Sequence, residues 1–165
     1  MNIEDKNNLK LIGKNEEDLK IISAYLQDSV VIIKDIIFLK KNRTFIMILN
    51  RFMWENSEKG GHKQNKRIRC AVKFEEVIKV QSKNINQKNN NKPLEYLAIR
   101  SSLVASNFFE IKVFFSGGGI IIITSEVIEV FMEDLSKPWY VKYIPMHQIW
   151  ILNNSMFFNK NNERN

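Results

Sequence analysis

The run Phe114-Phe115-Ser116-Gly117-Gly118-Gly119-Ile120-Ile121-Ile122-Ile123 constrains the fold more than any other stretch of this chain. Branched residues such as isoleucine crowd a helix and pack well on a pleated surface, so the residues after the glycines open a strand. On the N-terminal side Phe109, Ile111, Val113 and Phe115 alternate with Glu110, Lys112 and Ser116, the period of a strand with one apolar face. Glycines between two such runs supply the positive φ of a tight turn, and the whole reads as a β-hairpin. The same residues exclude other readings. A phosphate loop needs Lys and then Ser or Thr directly after its glycines, to reach phosphate and Mg²⁺. A dinucleotide fingerprint needs spaced glycines that open a helix. A membrane-spanning helix needs about 20 apolar residues, and this run is bounded by Lys112 and Glu126.

The rest of the chain fits a sheet with one clear helix. Leu9 to Ile12 reads as a first strand. Asn15 then offers an N-cap, and Glu16, Glu17 and Asp18 fall in a first turn, where the helix dipole favours anions. Leu19, Ile22, Leu26 and Val30 follow at spacings of three and four, which predicts an amphipathic helix over residues 16–28. Val30 to Lys40 and Thr44 to Trp54 form a second hairpin around Lys41-Asn42-Arg43, and Phe45 to Leu49, apolar at every position, predicts a central strand. Ser57 to Asn65, with Gly60-Gly61, is a loop. From Arg67 a long alternation sets Ile68, Cys70, Val72, Phe74, Ile78 and Val80 against Arg67, Arg69, Lys73, Glu75, Lys79 and Lys83, and Glu76 marks a bulge or bend in it. Asn84 to Pro93 is a patternless loop, and Leu94 to Arg100 is a strand. Over 126–135 two periods compete: Val127, Val130, Phe131 and Leu135 fit a helical face, while Ile128, Val130 and Met132 fit a strand. With Ser125 as a cap, a second helix is the expectation.

These elements predict an α+β fold, mainly an antiparallel sheet curled into a small barrel or half-barrel with an N-terminal helix packed on it. A sheet followed by a closing helix is analogous to the pleckstrin-homology architecture. Residues 1–7 are expected to be a flexible N-terminus, 8–150 a single domain and 151–165 a disordered tail. The polar start carries no signal-peptide core, and Cys70 is the single cysteine, so a reducing cytoplasm is expected. Because Cys70 lies in the apolar row, it is expected to be buried and inert. The net charge is +7 and the pI about 9.5. That balance invites an anionic partner, although a chain this rich in Lys, Asn and Ile also has the profile that AT-rich coding produces.

Several blocks then resemble a known series. They are Leu9-Lys10-Leu11-Ile12, Glu17-Asp18-Leu19 with Ile22-Ser23-Ala24-Tyr25-Leu26-Gln27-Asp28, and Leu49-Asn50-Arg51-Phe52-Met53-Trp54-Glu55. Leu97-Ala98-Ile99, Phe115-Ser116-Gly117-Gly118-Gly119, Asp134-Leu135 with Trp139, and Pro145-Met146-His147 continue the series. In this order they resemble domain-of-unknown-function family 2948, over about residues 8–147. The chain departs from that pattern in its asparagine-rich loop around Asn89 and in the apolar Phe131. The resemblance implies a single domain in a bacterial cytoplasm and brings no activity, cofactor or catalytic residue with it.

Candidate sites come from the residues themselves. His62 and His147 are the two histidines and stand far apart in sequence, so neither a metal site nor a cofactor is expected. No nucleophile motif accompanies Cys70, and the pairs Glu16-Glu17 and Glu75-Glu76 are explained by a helix start and a strand bend. Arg51 is the informative residue, because it falls on the face of Phe45, Met47 and Leu49, and a buried charge must be paired. With Glu55 it reads either as an anion-binding clamp or as a structural ion pair with Asp28, Glu55 or Asp134; the ion pair is the reading we favour. The row Arg67, Arg69, Lys73, Lys79 and Lys83, extended by Lys59, Lys63 and Lys66, reads either as a basic interaction face that tracks phosphates or as a solvated strand face. The function expected is a non-enzymatic binding or scaffold module with a protein partner. The alternatives are a binder of nucleic acid or anionic lipid through the basic face, and an enzyme in which Arg51, Glu55, Asp134 and His147 converge.

Overall fold

A computed structural model describes residues 8–57, 65–105 and 107–145. The expectations for the two termini, for the Gly60-Gly61 loop with Lys59, His62 and Lys63, and for His147 lie outside these residues.

The helix forms where its cap is encoded. Asn15 is extended (φ −148°, ψ 176°) and its side-chain oxygen accepts the Asp18 N–H at 2.9 Å, while Asp18 accepts the Lys14 N–H at 3.0 Å. Helix α1 runs over Glu16–Tyr25 and buries Leu19 and Ile22. Burial of two such side chains contributes about 1.5–3 kcal/mol each. The helix stops short of residue 28, and Asp28 turns into the left-handed region (φ 59°), which swings the chain into the next strand. A polar tether fixes α1 on the sheet: the Ser23 hydroxyl bonds the Tyr96 hydroxyl at 2.8 Å and accepts the Ile99 N–H at 3.0 Å. Tyr96 is itself fully buried, and burial raises the pKa of its hydroxyl.

Around the helix lie β1 (Lys10–Gly13), β2 (Val30–Leu39), β3 (Thr44–Phe52), the short turn α2 (Trp54–Ser57), β4 (Lys66–Phe74) and β5 (Val77–Lys83). The chain continues through β6 (Pro93–Val104), β7 (Phe108–Phe115), β8 (Ile120–Ser125), β9 (Val130–Asp134) and β10 (Trp139–Tyr140). All pairings are antiparallel, in the order β1-β9-β4-β3-β2-β6-β7-β8-β5, with β10 on β4. β3 is central as its double-sided apolarity predicts, paired with β2 from Leu39↔Thr44 and with β4 from Phe45↔Phe74. Inward residues of the curled sheet meet Leu19, Ile22 and Leu26 in one core. The sheet curls but is not closed into a barrel.

The glycine run makes the turn expected of it. Gly117 and Gly118 take φ of 78° and 83°, a conformation costly to any residue with a Cβ, and Phe115 N–H closes the turn on Gly119 C=O at 2.8 Å. Glu76 also does what its position implied: at φ 55° it bends the chain from β4 into β5.

One element corrects the sequence reading. Residues 126–135 form no helix; Val130–Asp134 is a strand between β1 and β4. Ser125 ends β8, and its hydroxyl donates to Val127 C=O at 2.7 Å rather than capping a helix. Both periods matched the sequence, and long-range pairing decided: β4 has an open edge there, and alternation turns Val130, Met132 and Asp134 inward together. The closing helix of the pleckstrin-homology analogy is therefore not at this position. No helix among the described residues is long and apolar enough to cross a membrane.

Candidate functional site: a buried ion cluster and an open seam

Arg51 sits on the inward face of β3, as alternation from Phe45 requires, and its side chain has no exposure. Its Nε and Nη2 donate to the two oxygens of Asp134 at 2.7 Å each, and its Nη1 and Nη2 donate to Glu55 at 3.1 and 2.8 Å. Four of the roughly five guanidinium N–H groups are thus committed to carboxylates. Asp134 also accepts the Leu9 N–H at 3.1 Å. The cluster joins β3, α2, β9 and the start of β1. Burial alone would lower the Arg51 pKa; hydrogen bonds to Asp134 and Glu55 outweigh it, and the net shift is upward. Of the three carboxylates considered for Arg51, Asp134 and Glu55 meet it. Asp28 meets Arg67 instead, through its carbonyl at 3.2 Å.

Cys70 pairs with Asp134 across β4 and β9 and is buried. Burial, and then the charge of Asp134, push its thiol up to about 12, so it stays protonated and unreactive at neutral pH.

The basic row does not stay together. Arg67, Arg69 and Lys73 stand on β4, whereas Lys79 and Lys83 stand on β5, at the far end of the strand order. Alternation on β4 is as read, but the Glu76 bend carries β5 into the other half of the sheet. The β4 members are also engaged. Arg67 donates to Asp28 and Asn50 carbonyls and lies over the Phe52 ring, Arg69 pairs with Asp35 at 3.3 Å, and Lys73 pairs with Glu75 at 2.6 Å. Burial lowers the Arg67 pKa against the charges of Asp28 and Glu95. The hydrogen bond from Lys73 lowers that of Glu75.

A third feature was not found from sequence. β2 pairs with β6 only from Val30 to Ile32. Beyond that, its edge donates two bonds to the Asn84–Pro93 loop, Ile33 N–H to Lys92 C=O at 3.3 Å and Lys34 N–H to Asn90 C=O at 2.9 Å. Among the described residues β5 ends the strand order and pairs with β8 alone. Between these two edges opens a cavity of about 530 Å³, lined by Ile33, Ile36, Phe38, Phe45, Val80, Ile85 and Ile121 with Lys34, Gln81, Ser82, Gln87 and Asn90. The glycine turn helps to build it. Asn84 holds the Gly118 carbonyl at 3.1 Å, and a Cβ on Gly119 would come within 3.1 Å of Ile85. The one available signal was in β2, where Val30 to Ile33 and Ile36 to Leu39 are apolar without alternation. Such a run marks a strand with apolar surroundings on both sides and does not say that one side is open.

Among the described residues no group of three His, Cys, Asp or Glu is placed to hold a metal ion. Comparison with curated proteins gives no match, and neither does comparison with solved structures. Residues 9–147 match the model of a family described as a protein of unknown function. That match spans both the ion cluster and the seam, and by it the chain belongs to domain-of-unknown-function family 2948.

Proposed function

We propose that this chain is a non-enzymatic binding module that takes an extended apolar segment of a partner protein into the seam between β2 and β5. The observation that carries the reading is the pair of edges, β2 beyond Ile32 and the outer edge of β5, that have no strand partner among the described residues and flank an apolar floor. Such edges offer backbone donors and acceptors to an added strand, and the floor offers pockets to alternate side chains. The ion cluster argues for the same class. Arg51 is spent on Asp134 and Glu55 and is shielded from solvent, so the cluster serves as a structural tie rather than as an anion clamp or an acid-base centre. A protonated, buried Cys70 suits a reducing cytoplasm.

The test is peptide selection against the intact chain and against Val80→Asp, which puts a charge on the seam wall. Selected peptides are expected to alternate apolar residues, to lose at least about tenfold in affinity for Val80→Asp, and to protect amides of Ile36–Leu39 and β5 from hydrogen exchange. Binding that is unchanged by Val80→Asp, with protection elsewhere, would remove the seam as the site. The rival reading, a nucleic-acid or anionic-lipid binder, rests on the lysines and is separated from this one below.

A further inference from the structure

The seam is apolar within, and the elements that form its walls carry lysines. Lys34 is among the lining residues on β2; Lys79 and Lys83 lie on β5, beside the lining residues Val80, Gln81 and Ser82, and Lys88 and Lys92 lie in the loop that contributes Ile85, Gln87 and Asn90. All five are exposed, and none takes part in an ion pair among the described residues. The acidic side chains of β2 and of the β4–β5 bend are used elsewhere: Asp35 pairs with Arg69, Glu75 with Lys73, and Glu76 with Arg43. Across the molecule, then, Arg69 and Lys73 on β4 are neutralised from within, and the lysines around the seam are left to face solvent.

Resting on the reading of the seam as a strand-binding site, we propose that the bound segment is flanked by acidic residues, so that an apolar core lies in the seam and carboxylates meet the lysine rim. Exposed charges of this kind contribute to rate and selectivity through the summed field more than through any single pair, and salt screens them. The apolar floor favours a protein over nucleic acid, because base stacking needs accessible aromatic faces and the lining is mostly aliphatic, with Phe45 buried and Phe38 half-buried.

Three synthetic peptides test this, each with a core of about five alternating Val and Thr residues, the length of the β2 edge beyond its loop contacts, and with ends of Glu, Ser or Lys. The Glu-flanked peptide is expected to bind about tenfold tighter than the Ser-flanked one at low ionic strength and to lose that advantage with added salt. The double variant Lys79→Glu/Lys83→Glu is expected to reverse the order in favour of the Lys-flanked peptide. Equal binding of all three, abolished by Val80→Asp, would overturn the acidic partner and leave the seam reading standing. Absence of binding by all three would overturn the seam reading itself. An oligothymidylate that binds more tightly than the Glu-flanked peptide, and weakens in the double variant, would assign the rim to phosphates and overturn the proposal; so would phosphatidylserine vesicles behaving in that way.

Discussion

The Arg51 cluster and the β2–β5 seam invert the usual placement of polar and apolar groups, and they do so in opposite senses. In the cluster, charge lies inside the protein, where both contacts of Arg51 with Asp134 are short and Asp134 has a backbone donor as well. In the seam, apolar side chains line an open cleft whose strand edges have no strand across from them among the described residues. A satisfied buried charge holds one structure in place, because breaking it exposes the full desolvation cost. An edge open to solvent stores no such cost for the free protein, and an unpaired strand edge is the kind of surface to which an added strand can pair.

The largest effect is expected from Arg51→Met. It leaves the Asp134 carboxylate buried without its guanidinium partner, and the unfolding free energy is expected to fall by about 3–5 kcal/mol, read from the urea midpoint. Arg51→Met with Asp134→Leu is expected to recover most of that loss; a double variant as unstable as the single one would mean that Arg51 acts through something other than charge pairing. Cys70 supplies a reporter in the same cluster. Its alkylation at neutral pH is expected to proceed only at the rate of global unfolding, and to become fast in Arg51→Met.

Smaller effects are expected around the seam. Gly118→Ala forces a Cβ into φ 83° and is expected to cost about 1 kcal/mol or more, read from the same midpoint. Val80→Asp is expected to change stability by less than about 1 kcal/mol, since this wall is partly open to solvent, while removing peptide binding. A large loss of stability there would make the seam part of the core. The smallest effect concerns Glu75, whose pKa is lowered by its hydrogen bond with Lys73; burial opposes that shift and the Thr44 hydroxyl adds to it. A lowered folded pKa means stability that is present above the ordinary carboxylate value of 4.5 and is lost as pH falls through the folded value. Glu75→Gln is expected to flatten the acid side of the stability profile by roughly a few tenths of a kcal/mol at most, the worth of a partly exposed pair.

Local signals were legible wherever one residue type answers one local need. Asn15 caps because its side chain reaches the Asp18 N–H, Gly117 and Gly118 turn because they lack a Cβ, and Glu76 breaks the β4 row because the chain bends there. Arg51 could be read as buried and in need of a partner from its place in the alternation of β3. Which carboxylates answer that need was beyond the sequence: Asp134 is 83 residues away, and its inward aim depends on residues 130–134 being strand. The helical alternative failed there because an open β4 edge is a property of the assembled sheet, invisible to a local window.

The basic row shows the same division in one element. Alternation correctly placed Arg67, Arg69 and Lys73 on one face of β4, but a single left-handed residue sent Lys79 and Lys83 to another part of the sheet. Periodicity, caps and turn chemistry are interactions of a few neighbouring residues, so helix α1, most of the strands and the glycine hairpin followed from the chain alone. The partners of Arg51, the splitting of the lysines and the open seam depend on which strand edges meet after the sheet curls. Those are contacts between distant segments, and only the tertiary structure brings them together.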